Sequence, residues 1–281
     1  MPEPAVGHTE VRTLDGLRLS ATLTRPAGSA GHAVVMVHGG GVTREEGGFF
    51  TRLAEGLAAT GTASLRYDLR GHGESDGRPE ESSLAAHLND IRVVLDHLRG
   101  CSGVRTASLL GASFGGGLAA YYAAESGEQL ERVVLLNPQL DFKKRYIDQK
   151  DHWRDGHLSD DKADELVRRG YIDHSPTVRH SRAFLNEAFW IRPRRVLGGI
   201  TAPTLLVHGT EDTFVPVAGS RDAVAQLPGE SRLVEIDGAE HGFAVHADPG
   251  YLDPQSQEWQ RYVVGIVGEW LTDGRLSSGS P

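Results

Sequence analysis

A chain of 281 residues with 39% hydrophobic and 24% charged residues is long enough for one enzyme-sized core carrying an insertion. A formal net charge of -9 argues against nucleic acid as a partner, and no run of about 18 apolar residues is present to span a membrane. The first residues, Met1 to Gly7, hold neither a basic region nor an apolar run, so a cytoplasmic protein is expected rather than a secreted one. Cys101 is the single cysteine; it has no partner for an intrachain disulfide and reads as filler near a helix end.

In chain order, Glu10 to Leu14 and Leu17 to Thr24 flank Asp15-Gly16 and predict an antiparallel hairpin at a sheet edge. The β-prone run Ala33 to Val37 leads directly into His38-Gly39-Gly40-Gly41. Glycines in that place let the backbone approach a ligand, which makes the Gly40 N–H a candidate donor to a negative oxygen. Gly39 is the alternative donor, and a plain flexible turn is the competing explanation. The strand-like Ala63 to Tyr67 precedes Asp68-Leu69-Arg70-Gly71-His72-Gly73-Glu74-Ser75, whose polar residues are expected to tie neighbouring loops together. No H-E-x-x-H or paired-cysteine spacing occurs, so neither a metal nor a cofactor is expected.

The apolar run Thr106 to Leu110 ends in Gly111-Ala112-Ser113-Phe114-Gly115 and is followed by the helix-prone Gly117 to Glu125. A serine between two glycines at a strand-to-helix turn is the pattern of a nucleophile elbow, where any side chain two residues before or after would crowd the turn. In a chain with 35 glycines the five-residue pattern alone arises by chance about one time in three, so its setting has to carry the inference. The competing explanation is a small buried serine that eases packing of a helix on a sheet.

After the strand-like Arg132 to Leu136, residues 138–199 break the alternation and are expected to form an inserted helical cap. They carry 13 Lys and Arg against 10 Asp and Glu, whereas the remaining residues carry 16 against 28. Helical patches are expected at Asp160 to Arg169 and Arg179 to Phe189. Phe142, Tyr146, Trp153, Tyr171, Phe184, Phe189 and Trp190 either build the cap's own core or line an apolar pocket above Ser113, with cations drawing in an anionic substrate or carrier.

The buried-strand run Pro203 to Gly209 leads into Thr210-Glu211-Asp212-Thr213-Phe214-Val215-Pro216. The run Arg232 to Ile236 leads into Asp237-Gly238-Ala239-Glu240-His241-Gly242-Phe243, before a last helix. A nucleophilic serine needs a base to take its proton and an acid to orient that base, and Asp212 and His241 supply them in the order serine, acid, histidine. Glu211 and Glu240 are the neighbouring rivals; adjacent residues on an extended loop point in different directions, so one of each pair at most faces the serine. Residues 274–281 read as a frayed tail. Strands alternating with helices imply a mostly parallel sheet covered by helices on both faces, with the core in residues 1–137 and 200–273.

On these segments the chain resembles the serine α/β hydrolases, and within them it is similar to cinnamoyl and feruloyl esterase-like carboxylesterases. The resemblance implies a Ser113, His241, Asp212 triad and an oxyanion hole of the Gly40 and Phe114 backbone amides. Gly40 and Phe114 depart from the bulky residue and the glutamine common in those esterases, which implies an acyl pocket of different shape. Three functions fit: a hydrolase of small aryl or alkyl esters, a thioesterase or acyltransferase working on carrier-bound acyl groups, and a non-catalytic ligand-binding member of the fold. The oligomeric state is not legible in the sequence.

Overall fold

The computed structural model describes residues 3–276 except 29, 128, 246, 247, 249 and 275. Eight strands form the main sheet: β1 (Ala5–Arg12), β2 (Arg18–Arg25), β3 (His32–Val37), β4 (Ala63–Tyr67), β5 (Thr106–Ala112), β6 (Val133–Leu136), β11 (Thr204–Gly209) and β12 (Ser231–Ile236). The short strands β7 (Trp153–Arg154), β8 (His157–Leu158), β9 (Tyr171–Asp173) and β10 (Arg179–Ser181) lie between β6 and β11 in the chain. The main sheet runs in the order β1-β2-β4-β3-β5-β6-β11-β12. The β1–β2 hairpin sits antiparallel at one edge and β2 pairs antiparallel with β4, while every pair from β4 to β12 is parallel.

A parallel sheet must be covered on both faces, and the side-chain alternation of its strands shows how. In β3, Val34 and Met36 face a core shared with α1 (Phe49–Ala59) and α8 (Pro254–Asp273), where Trp270 and Phe50 are buried. Ala33, Val35 and Val37 face the opposite core, packed against α2 (Leu84–Arg99) and α3 (Ser113–Glu125). Each buried Val or Leu in these layers stabilises the fold by about 1.5–3 kcal/mol relative to an exposed one. α1 shows the matching helical spacing, burying Phe50, Leu53, Ala54, Leu57 and Ala58.

Residues 138–199 contain one π-helical turn (Lys144–Asp148), α4 (Asp160–Arg169), α5 (Arg182–Glu187) and the short α6 (Pro193–Val196). They also hold two strand pairs, β7 with β8 and β9 with β10, that helical periodicity did not suggest. Arg179 to Ser181, expected as helix, pairs instead with Tyr171–Asp173; the Ser181 side chain accepts the Phe184 N–H and starts α5 there. Most of the aromatics here do pack as a core. Phe142, Tyr146 and Phe184 are buried against Phe114, and Trp153 packs on Phe189, whereas Trp190 is 85% exposed.

The Asp68 to Ser75 loop is a fastener. Asp68 accepts the Arg44 and Glu74 amides and pairs with the Arg44 guanidinium, and Arg70 bridges Asp90 and Asp15. Cys101 is half-buried just past α2, with its S–H directed at the His97 carbonyl. Gly274 ends α8 in the left-handed conformation, and the rest of the tail expected over 274–281 lies, Leu276 apart, outside the described residues. Among the described residues no helix is long and apolar enough to cross a membrane.

Candidate active site

Three strand ends converge. Ser113 follows β5 and opens α3, Asp212 lies in the loop after β11, and His241 lies in the loop between β12 and α8. This is the carboxyl edge of a parallel sheet, where α/β folds place their ligands.

Ser113 holds a left-handed backbone with φ +50°, a strain of about 1–3 kcal/mol for a non-glycine residue. Its flanking glycines have no alternative. A Cβ on Gly111 would lie 2.3 Å from the Gly115 carbonyl oxygen, and one on Gly115 would lie 2.4 Å from the carbonyl oxygens of both Val37 and His38. The turn is thus sharp enough to lift the hydroxyl clear of the sheet while α3 starts in contact with the end of β3.

The Ser113 hydroxyl lies 3.0 Å from His241 Nε2, and His241 Nδ1 lies 2.7 Å from Asp212 Oδ2. A carboxylate only accepts, so Nδ1 donates its proton to Asp212 and Nε2 presents its lone pair to the hydroxyl. Asp212 is buried, while Glu211 beside it is exposed. Burial by itself would raise the Asp212 pKa, but donors from His208 and His241 and the Val215 amide reverse the effect and hold it well below the carboxylate range. Its Oδ1 accepts the Phe214 and Val215 amides at 2.9 and 2.8 Å.

His208 was not singled out by the sequence. Its Nε2–H donates to the Val215 carbonyl at 2.7 Å and approaches Asp212 Oδ2 at 3.4 Å, while its Nδ1 accepts the Ser220 hydroxyl at 2.7 Å. It lies on β11 four residues before the acid, and its burial among apolar strand neighbours left no pattern to read.

The three glycines after β3 are distinguished by what their amides meet. The Gly39 N–H donates to Glu46 at 2.8 Å, and the Gly41 N–H points at His72 Nε2 at 3.4 Å. No hydrogen bond occupies the Gly40 N–H among the described residues. The Phe114 N–H belongs to the first turn of α3, where helix geometry leaves amides without an intrahelical acceptor. A Cβ on Gly40 would sit 3.6 Å from Phe114 Cβ, so the two residues are neighbours across the site.

Glu46 was also missed, because it is seven residues from Gly39 in a loop with no motif. Burial pushes its carboxyl up to about 7, partly offset by the Gly39 amide.

A cavity of about 260 Å³ opens at Ser113, lined by Gly40 and Phe114 on one side and by Arg145, Tyr146, Lys150 and His174 of the inserted segment on another. Phe214 borders it, 49% exposed, with its ring 4.9 Å from that of His241. Of the aromatics expected to line a pocket, Tyr146 does so here.

Comparison with known proteins agrees with the fold. Residues 28–159 match the family model described as serine aminopeptidase, S33. A monoacylglycerol lipase of Mycolicibacterium smegmatis is 25% identical over 287 residues, covering 91% of this chain and 93% of its own. An uncharacterised protein of Mycobacterium tuberculosis is 27% identical over 279 residues, covering 96% and 80%. Among solved structures, Est1E of Butyrivibrio proteoclasticus with ferulic acid bound superposes with a TM-score of 0.74 at 23% identity, covering 91% and 98% of the two chains. DcsB in complex with a substrate analogue gives 0.74 at 19%, covering 96% and 100%. At these identities the structural likeness is one of fold. The chain has the α/β-hydrolase fold.

Proposed function

We propose that the protein hydrolyses small carboxylic esters through a covalent acyl-serine, with Ser113 as nucleophile, His241 as base and Asp212 as the acid that orients it. His241 Nε2 takes the Ser113 proton as the oxygen attacks the ester carbonyl. The tetrahedral oxygen is bound by the Gly40 and Phe114 amides, each such donor contributing about 2.7–4 kcal/mol to the transition state. His241 returns the proton to the departing alkoxide, and the alcohol leaves. Water then attacks the acyl-serine by the same route, with its proton passing through His241, and the free acid departs.

The observation that carries this reading is the unbroken line from the Ser113 hydroxyl through His241 to Asp212, at 3.0 and 2.7 Å. The occupation of the Gly39 amide by Glu46 favours Gly40 as the donor. A cavity of about 260 Å³ favours small acyl groups, since sites for drug-sized ligands run to about 300–1,000 Å³. We take residues 138–199 to be the cap over this site, because Tyr146 and His174 belong to the cavity wall.

A fluorophosphonate probe tests the reading. Folded protein should be labelled once, at Ser113, and a panel of phenyl and ethyl esters should be turned over by the wild type and not by Ser113→Ala. Folded protein that resists the label would point to a ligand-binding role instead.

A further inference from the structure

The wall of the Ser113 cavity contributed by residues 138–199 carries positive charge, and no carboxylate lines the cavity among the described residues. Arg145 and Lys150 both line the cavity, and neither has a carboxylate within ion-pair distance among the described residues. Asp141 faces Arg192 and Asp148 is paired with Lys143, while Asp151, exposed beside Lys150 in the chain, acts on it through its charge without forming an ion pair with it. No Asp or Glu is among the residues bordering the cavity.

Both cations are half-buried, so each has given up part of its hydration, and neither makes a direct ion pair among the described residues. The Arg145 guanidinium lies 3.9 Å from the centre of the Phe214 ring, which itself lies 4.9 Å from the His241 ring. The π-helical turn Lys144–Asp148 carries Arg145 and Tyr146, both of which line the cavity, and such turns are frequent at functional sites. The two charges act on each other and on their surroundings. Burial and the Arg145 charge lower the Lys150 pKa, and burial with Lys150 and Arg145 pushes His174 down to about 4, so His174 is neutral at physiological pH.

We propose, resting on the ester-hydrolase reading above, that the ester cleaved at Ser113 carries a second, carboxylate group, and that Arg145 and Lys150 are the specificity residues that bind it. A carboxylate there supplies the missing counter-charge, and the fork of the guanidinium can take it with two parallel hydrogen bonds. The ester carbonyl is held in the same cavity by the Gly40 and Phe114 amides, so the two polar ends of the substrate fix its register. The carboxylate can sit on the acyl side or on the alcohol side of the ester; the shared requirement is an anion within reach of both cations.

The test compares size-matched pairs. Monoethyl adipate against ethyl hexanoate places the charge on the acyl side, and 4-acetoxybenzoate against phenyl acetate places it on the alcohol side. In at least one pair the wild type should favour the anionic ester in kcat/KM by about tenfold to a hundredfold, as expected for a hydrogen-bonded charge. That preference should collapse in Arg145→Gln and Lys150→Glu, be largely rescued in Arg145→Lys, and shrink as salt is raised. Fluorophosphonate labelling of each variant confirms a folded, reactive serine. If the labelled wild type favours the neutral ester in both pairs, or if its preference survives both substitutions, the inference is wrong while the hydrolase reading stands. If the folded wild type neither labels nor turns over any of the four esters, the hydrolase reading falls and takes this inference with it.

Discussion

The two walls of the Ser113 cavity are built to different standards. The sheet-side wall stands on strands β3, β5, β6 and β11, whose interiors are almost fully buried and whose ends place Gly40, Ser113 and Asp212. The opposite wall belongs to an insertion of two- and three-residue strands and short helices; α4 buries only Leu166 among its ten residues. Buried area per residue sets local stability, so under the proposed function the groups that need sub-ångström placement rest on the stiff wall and the groups proposed to meet the variable part of a substrate rest on the softer one. A hydrolase can then change its ester by editing the insertion without disturbing the chemistry.

The contrast breaks first at the serine. Ser113→Ala should lower kcat by at least about a thousandfold, because members of a triad act as a unit. A loss below about tenfold on a well-cleaved ester would remove Ser113 from the nucleophile's role.

Next comes the stiffness of that wall. Gly115→Ala drives a methyl group into two carbonyl oxygens at 2.4 Å and should cost about 3 kcal/mol or more, or prevent folding. A melting temperature within a few degrees of the wild type would show that the elbow yields, against the rigidity argued for it.

Glu46 tests the same wall through pH. Its folded-state pKa of about 7 lies above its ordinary value of 4.5, so the folded state binds more protons than the unfolded state between those limits. Its contribution is therefore fully present below about pH 4.5 and lost as the pH rises through about 7, where a buried charge must be carried. Glu46→Gln keeps an oxygen for the Gly39 amide and removes the titration. The variant should gain on the wild type by roughly 1–3 kcal/mol between pH 5 and pH 8 in urea titrations, and a constant difference across that range would exclude the mechanism.

The smallest effect is expected on the insertion. Trp190, 85% exposed, should tolerate replacement by alanine within about 0.5 kcal/mol. A larger loss would mean that this segment is held together more tightly than its burial implies.

Much of the stiff wall is legible in the sequence alone. The order of β5, Ser113 and α3 follows from one apolar run, two glycines and a helix-prone run, because the steric demands of the elbow act within five residues. Asp212 and His241, the acid and base of the proposed function, were legible for a related reason: each follows a strand of recognisable composition, and Asp212 is buried where Glu211 is exposed. The insertion was harder. Arg179 to Ser181 has acceptable helical spacing, yet a strand pairing with Tyr171–Asp173 overrode it, as tertiary pairing does in short segments.

What the sequence determined by itself was local: the alternation that makes a covered parallel sheet, the glycines that permit a strained serine, and the chain order of serine, acid and histidine. Tertiary structure alone decided which glycine amide stays open among the described residues, since that depends on Glu46 taking Gly39, and which cations make no ion pair there, since that depends on where carboxylates such as Asp141 and Asp148 go. The physical reason is range. Backbone sterics and side-chain periodicity act over a few residues, whereas hydrogen-bond and charge pairing are settled between groups that only the folded chain brings together.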